Sequence, residues 1–82
     1  MSETYYVTPS FVEELLEKMG LKDIPMSDEK VFVTLNRNMM YVEDKAAETV
    51  WQIDRKNKLR SHKGMGKGCI WTEWEEASDE GT

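Results

Sequence analysis

Six basic side chains crowd into the run RKNKLRSHKGMGKG: Arg55, Lys56, Lys58, Arg60, Lys63 and Lys67, with no acid among them. The chemistry they suit is anion binding, because the remainder of the chain is acidic. Residues 1–54 carry eleven acids against five bases, residues 68–82 carry five acids and no base, and the net charge is −5. A basic island on an acidic body predicts a local contact for something anionic rather than indiscriminate binding. Covalent chemistry is poorly supplied. His62 is the only histidine and Cys69 the only cysteine, seven residues apart and without an evident orienting partner, so a nucleophile–base pair is not expected. A zinc site needs more His and Cys ligands than these two. The glycines of Gly64-Met65-Gly66-Lys67-Gly68 lack the spacing of a P-loop or dinucleotide fingerprint, and the apolar Cys69-Ile70-Trp71 that follows predicts a strand where such loops require a helix N-terminus. The expectation is therefore a binding protein, not an enzyme, with no metal and no cofactor.

Eighty-two residues, 39% of them hydrophobic, make one domain with one core. A chain this short buries only about 60–65% of the surface its unfolded form exposes. The eight aromatics therefore matter, and Trp51, Trp71 and Trp74 are expected mainly in the core, with Trp74 the most exposed. Six methionines suit either an irregular core or an adaptable surface. One cysteine excludes an internal disulfide. No apolar run approaches a membrane span and the N-terminus lacks signal-peptide character, so a cytoplasmic location is expected.

The elements that position these residues follow from periodicity. Thr8-Pro9 is a helix start, with Thr as cap and Pro at the first helical position. Phe11, Val12, Leu15, Leu16 and Met19 form an apolar helical stripe, and Gly20 ends it. Tyr5-Tyr6-Val7 suits a short strand or a hydrophobic staple. Residues 22–30 are a connection. Val31–Leu35 and Met39–Val42 predict a hairpin turning at Asn36-Arg37-Asn38. Residues 44–56 read as a second helix, because Ala46, Ala47, Val50 and Trp51 recur at helical spacing. The competing reading is a strand from Thr49 to Ile53, turning at Asp54-Arg55-Lys56-Asn57. Leu59–His62 and Cys69–Trp71 predict two short strands joined by the glycine loop, and Thr72 caps a last short helix holding Trp74, Glu75 and Glu76.

This order of parts, over Thr49 to Ala77, resembles the second half of the winged-helix domains of phage excisionases and the MerR superfamily. The carrying residues are Thr49-Val50-Trp51 at the helix start, Asn57 at its left-handed cap, the Lys58-Leu59 pair, the basic glycine loop from Lys63 to Gly68, Ile70, and the acidic stretch Glu73 to Ala77. Asn57 stands where the family has Gly, Asp54 where it has a core aliphatic, and about two dozen residues separate the two helices where it has a short turn. With the elements read from periodicity, the expectation is an α+β fold over residues 1–76: an N-terminal helix, a β-hairpin, a second helix and a C-terminal winged-helix-like β-hairpin, the last two being what the resemblance implies, with an acidic flexible tail at 77–82 from its composition. The resemblance implies DNA as partner and an architectural or regulatory role. Gln52 would read a base edge, while Arg55, Lys56 and Lys58 at the helix end and Arg60, Lys63 and Lys67 on the wing would meet phosphates. Six phosphate contacts predict a log–log salt slope of roughly −5. The net charge and methionine content support an alternative, an acidic phage-type protein that binds the basic groove of a host nucleic-acid-handling protein and inhibits it.

Overall fold

A computed structural model describes residues 3–64 and 70–77. Its frame is a six-stranded antiparallel sheet in simple sequence order: β1 (Glu3–Val7), β2 (Val31–Leu35), β3 (Met39–Asp44), β4 (Thr49–Asp54), β5 (Lys58–Lys63) and β6 (Glu75–Glu76). Among the described residues a single helix, α1 (Pro9–Lys18), lies between β1 and β2. Among the described residues no helix is long and apolar enough to cross a membrane.

Helix α1 forms as its sequence dictates. Thr8 takes the cap position, its hydroxyl accepting from the Phe11 N–H at 3.3 Å, and Pro9 opens the helix. Gly20 stops it at φ 72°, a left-handed conformation that costs glycine little. The Leu21 N–H then closes on the Leu16 carbonyl at 2.9 Å. The hairpin of β2 and β3 also forms as expected. The Asn36 side chain accepts from the Asn38 and Met39 amides and so fixes the turn.

The second helix expected over residues 44–56 does not form. The alternative strand does, as β4. Two turns of one design exclude the helix. At Lys45–Glu48 and at Asp54–Asn57 an i→i+3 backbone bond closes the turn, and Glu48 (φ 50°) and Asn57 (φ 60°) adopt left-handed backbone. An aspartate heads each turn: Asp44 accepts from the Ala47 N–H, and Asp54 from the Lys56 and Lys58 N–H groups. Such a closed turn ending in a left-handed residue matches the twist of antiparallel strands. Asn57 thus has the conformation expected of it, in a hairpin instead of at a helix end. The short helix expected after Thr72 is absent too. Residues 70–74 run without regular structure and lead into β6, where Glu75 and Glu76 pair with Leu59 and Lys58. With one helix and a continuous meander, the winged-helix architecture is overturned.

Register sorts the side chains into two faces. On one, Val31, Val33, Met40, Val42, Ile53 and Leu59 are buried beneath Val12 and Leu16 of α1 and Leu21 and Ile24 of the connection. Ala77 joins this core at 2% exposure, its N–H bonded to the Asn57 carbonyl and its own carbonyl to the Lys22 N–H. Every fully buried apolar residue here is aliphatic or methionine. Trp51 packs against the core from its edge. The other aromatic side chains lie elsewhere, and most of them lie on the opposite face.

Candidate functional site

The opposite face is the back of the meander, and two rows of side chains cross it. One row pairs Tyr6, Phe32, Glu43, Val50 and His62 across five strands. The next pairs Thr4, Thr34, Tyr41, Gln52 and Arg60. Strand alternation puts both rows opposite the aliphatic core. Five of the eight aromatic side chains gather here: Tyr6, Phe32, Tyr41, Trp71 and Trp74.

They form two clusters, each with its own cations. At the β1–β2 end the Tyr6 and Phe32 rings stack with centroids 4.6 Å apart. The Lys30 ammonium lies 5.2 Å from the Tyr6 centroid and the Lys45 ammonium 4.9 Å from that of Phe32. At the β5 end the Arg60 guanidinium lies 4.5 Å from the Trp71 ring and 4.4 Å from the Trp74 ring. His62 meets Trp71 edge-on at 4.4 Å, with its Nδ1 buried and unpartnered. Ring faces are negative, so each cation is attracted to the π-system it covers. A polar ladder links the ends. Thr4 and Thr34 share a hydrogen bond at 3.0 Å, Gln52 donates to the Tyr41 hydroxyl at 3.0 Å, and Arg60 Nε donates to Gln52 Oε1.

These contacts redistribute the basic island. The structure does not bring its members together. Gln52, expected to read a base edge, is 4% exposed and spends its amide on Tyr41 and Arg60. Arg60 is held by Gln52 and two indoles, which fixes it as a brace of the aromatic cluster. Lys58 is bonded to Glu76 at 2.8 Å, and that hydrogen bond raises its ammonium above the ordinary 10.5. Arg55 and Lys56 sit exposed in the β4–β5 turn, where Arg55 reaches Asn38 at 3.4 Å. Lys63 is exposed at the far end of β5, about 20 Å away at strand rise. Lys67 and Cys69 lie outside the described residues. His62 is half-buried against Trp71.

Sequence reasoning missed Tyr6, Lys30, Phe32, Tyr41 and Lys45. A signal for them existed in the alternation of Val31-Phe32-Val33-Thr34-Leu35. Once the valines are assigned to the core, Phe32 must face the other way.

The molecule thus belongs to a broad class: a small antiparallel-sheet domain with one face sealed by a helix and the other left as an aromatic and cationic platform. No family model, curated protein or solved structure matches the chain.

Proposed function

We propose that the open face binds single-stranded nucleic acid, with bases stacking on Tyr6, Phe32 and Trp74 and phosphates meeting Lys30 and Lys45. One observation carries the reading: an acidic protein places five of its eight aromatic side chains on the sheet face away from its aliphatic core and sets cations over them. Aromatic surface left out of so small a core forgoes considerable burial. Stacking platforms edged by basic residues are how sheet surfaces hold single strands, because every base has a π-face. Tyr6 is 58% and Trp74 39% exposed, so both rings are reachable. From β1 to β5 the face spans roughly 20 Å at the usual strand spacing, room for a few nucleotides. Glu43, central in its row, disfavours phosphate there and suits a base amino group. A duplex keeps its bases stacked on each other and offers none of these rings a partner.

The test is fluorescence anisotropy with a labelled oligothymidine of about twelve nucleotides and a duplex of equal length, at ~50 mM salt. The single strand is expected to bind at least tenfold tighter than the duplex. Two lysine contacts on a single strand give a log–log salt slope of about −1.4, well short of the −5 expected for six contacts. Duplex binding equal to or tighter than single-strand binding overturns the reading, as does no single-strand binding at ~100 μM protein, the weak end of non-specific affinities.

A further inference from the structure

We infer that β1 is a dimerisation edge, and that its occupant is β1 of a second copy of this chain. Among the described residues the outer edge of β1 pairs with nothing. The groups it offers follow from register. The Asn36 N–H bonds the Met39 carbonyl at 3.0 Å, closing the β2–β3 hairpin. Antiparallel alternation then turns the backbone of Thr34 and Phe32 toward β3 and that of Leu35, Val33 and Val31 toward β1. Their partners Glu3, Tyr5 and Val7 therefore face β2, while Thr4 and Tyr6 direct an N–H and a carbonyl each away from the sheet.

Those four groups are complementary to themselves. A two-fold axis through Tyr5, normal to the sheet, sets Thr4 opposite Tyr6 of the second copy and Tyr6 opposite its Thr4. All four groups on each copy are then satisfied by four inter-chain hydrogen bonds. The same axis sets the two Glu3 carboxylates roughly 13 Å apart along the strands, about a Debye length. It also keeps both copies of α1 on one side of the joined sheet.

Side chains on that side supply the apolar part. Beside β1 lies a groove of about 260 Å³ lined by Tyr5, Val7, Phe11, Leu15, Val33 and Leu35. Tyr5 is 45% and Phe11 52% exposed. The axis brings Tyr5 and Phe11 of each copy to the groove of the other. Two half-exposed rings of ~200 Å² each supply on the order of 200 Å² per copy. Doubling this and adding strand backbone gives a small interface, of the weak class below ~1,200 Å².

The two edges of the sheet differ in the way this requires. Exposed edges are normally blunted by lysine, proline, a bulge or shortness. The β6 edge is two residues long and both are glutamates. β1 keeps unbroken register over five residues and has Glu3 as its only charge. One pairing edge per chain closes as a two-fold dimer and cannot propagate.

The experiment is sedimentation equilibrium on the full chain from ~5 to ~500 μM, a range suited to an interface near the lower size limit. The wild type is expected to shift from monomer to dimer across it. Thr4→Pro removes an outward N–H and no backbone bond to β2, giving up only the exposed Thr4–Thr34 hydroxyl bond, and Tyr5→Lys sets two like charges across the axis. Each is expected to weaken dimerisation at least tenfold with unchanged far-UV circular dichroism. If Thr4→Pro disturbs the fold, Tyr5→Lys decides, since its side chain is half-exposed in the monomer. A wild type that stays monomeric at ~500 μM, forms larger assemblies, or dimerises equally in the folded variants overturns the inference. The assay contains no nucleic acid, so its outcome is independent of the platform reading.

Discussion

Replacing Asp44 with alanine is expected to destabilise the fold by about 3 kcal/mol, more than any surface substitution. Asp44 is 0% exposed. One carboxylate oxygen accepts from the Ser27 N–H in the long connection, and the other accepts from the Ala47 N–H at 3.1 Å in the β3–β4 turn. A single side chain thus ties the segment that roofs the core to the turn that ends β3. Alanine would leave both amides without their acceptor, at roughly 1–3 kcal/mol for each that stays buried. It would also relax the turn that holds Glu48 at positive φ. For a domain of this size, ~3 kcal/mol corresponds to a fall in Tm on the order of 10–20 °C, read by thermal circular dichroism. Asp44→Asn keeps one acceptor and is expected to fall between. An unchanged Tm in Asp44→Ala would show that the two bonds do not hold the connection.

The second large effect concerns the open face. Phe32→Ala and Tyr6→Ala are each expected to weaken single-strand binding by about five- to a hundredfold, since one base–aromatic stack is worth ~1–3 kcal/mol. The two rings stack on each other, so they act as one platform and the double variant should lose less than the product of the single losses. Lys30→Ala and Lys45→Ala are expected to cost only a few-fold each and to flatten the salt dependence. Phe11→Ala is the control. Phe11 is as exposed as Tyr6, 52% against 58%, but lies by the groove on the helix side, so binding should not change. Equal losses in Phe11→Ala and Phe32→Ala would point to a general apolar effect and against a platform.

How far the chain could be read depended on which period ruled locally. α1 was legible because Thr8-Pro9 and Gly20 mark its ends by backbone chemistry that tertiary contacts rarely override. The β2–β3 hairpin was legible through β-branched residues and Asn36. Residues 44–56 were misread because Ala46-Ala47 favours helix intrinsically, whereas the turn around it is set by Asp44 and a left-handed Glu48, a conformation that glutamate's identity does not announce. Asp54, the residue hardest to fit on a helix facing a core, heads the next turn. The basic island misled for a geometric reason. Neighbours along a strand alternate faces, and a hairpin carries its two ends apart, so linear charge density became three separate environments. Trp71 read as the end of a strand and Trp74 as part of a short helix. Instead both indoles close on Arg60, a pairing that no local period encodes. The site therefore lay mostly in residues that charge counting passed over.

Amide chemical-shift mapping of the labelled protein, titrated with oligothymidine at low salt, tests the platform most directly. The expected footprint covers the Tyr6, Phe32, Val50 and His62 amides and the Trp74 indole N–H, across the back of the sheet. A footprint confined to the Arg55–Asn57 turn or to the groove beside α1, or none at saturating oligonucleotide, would contradict it.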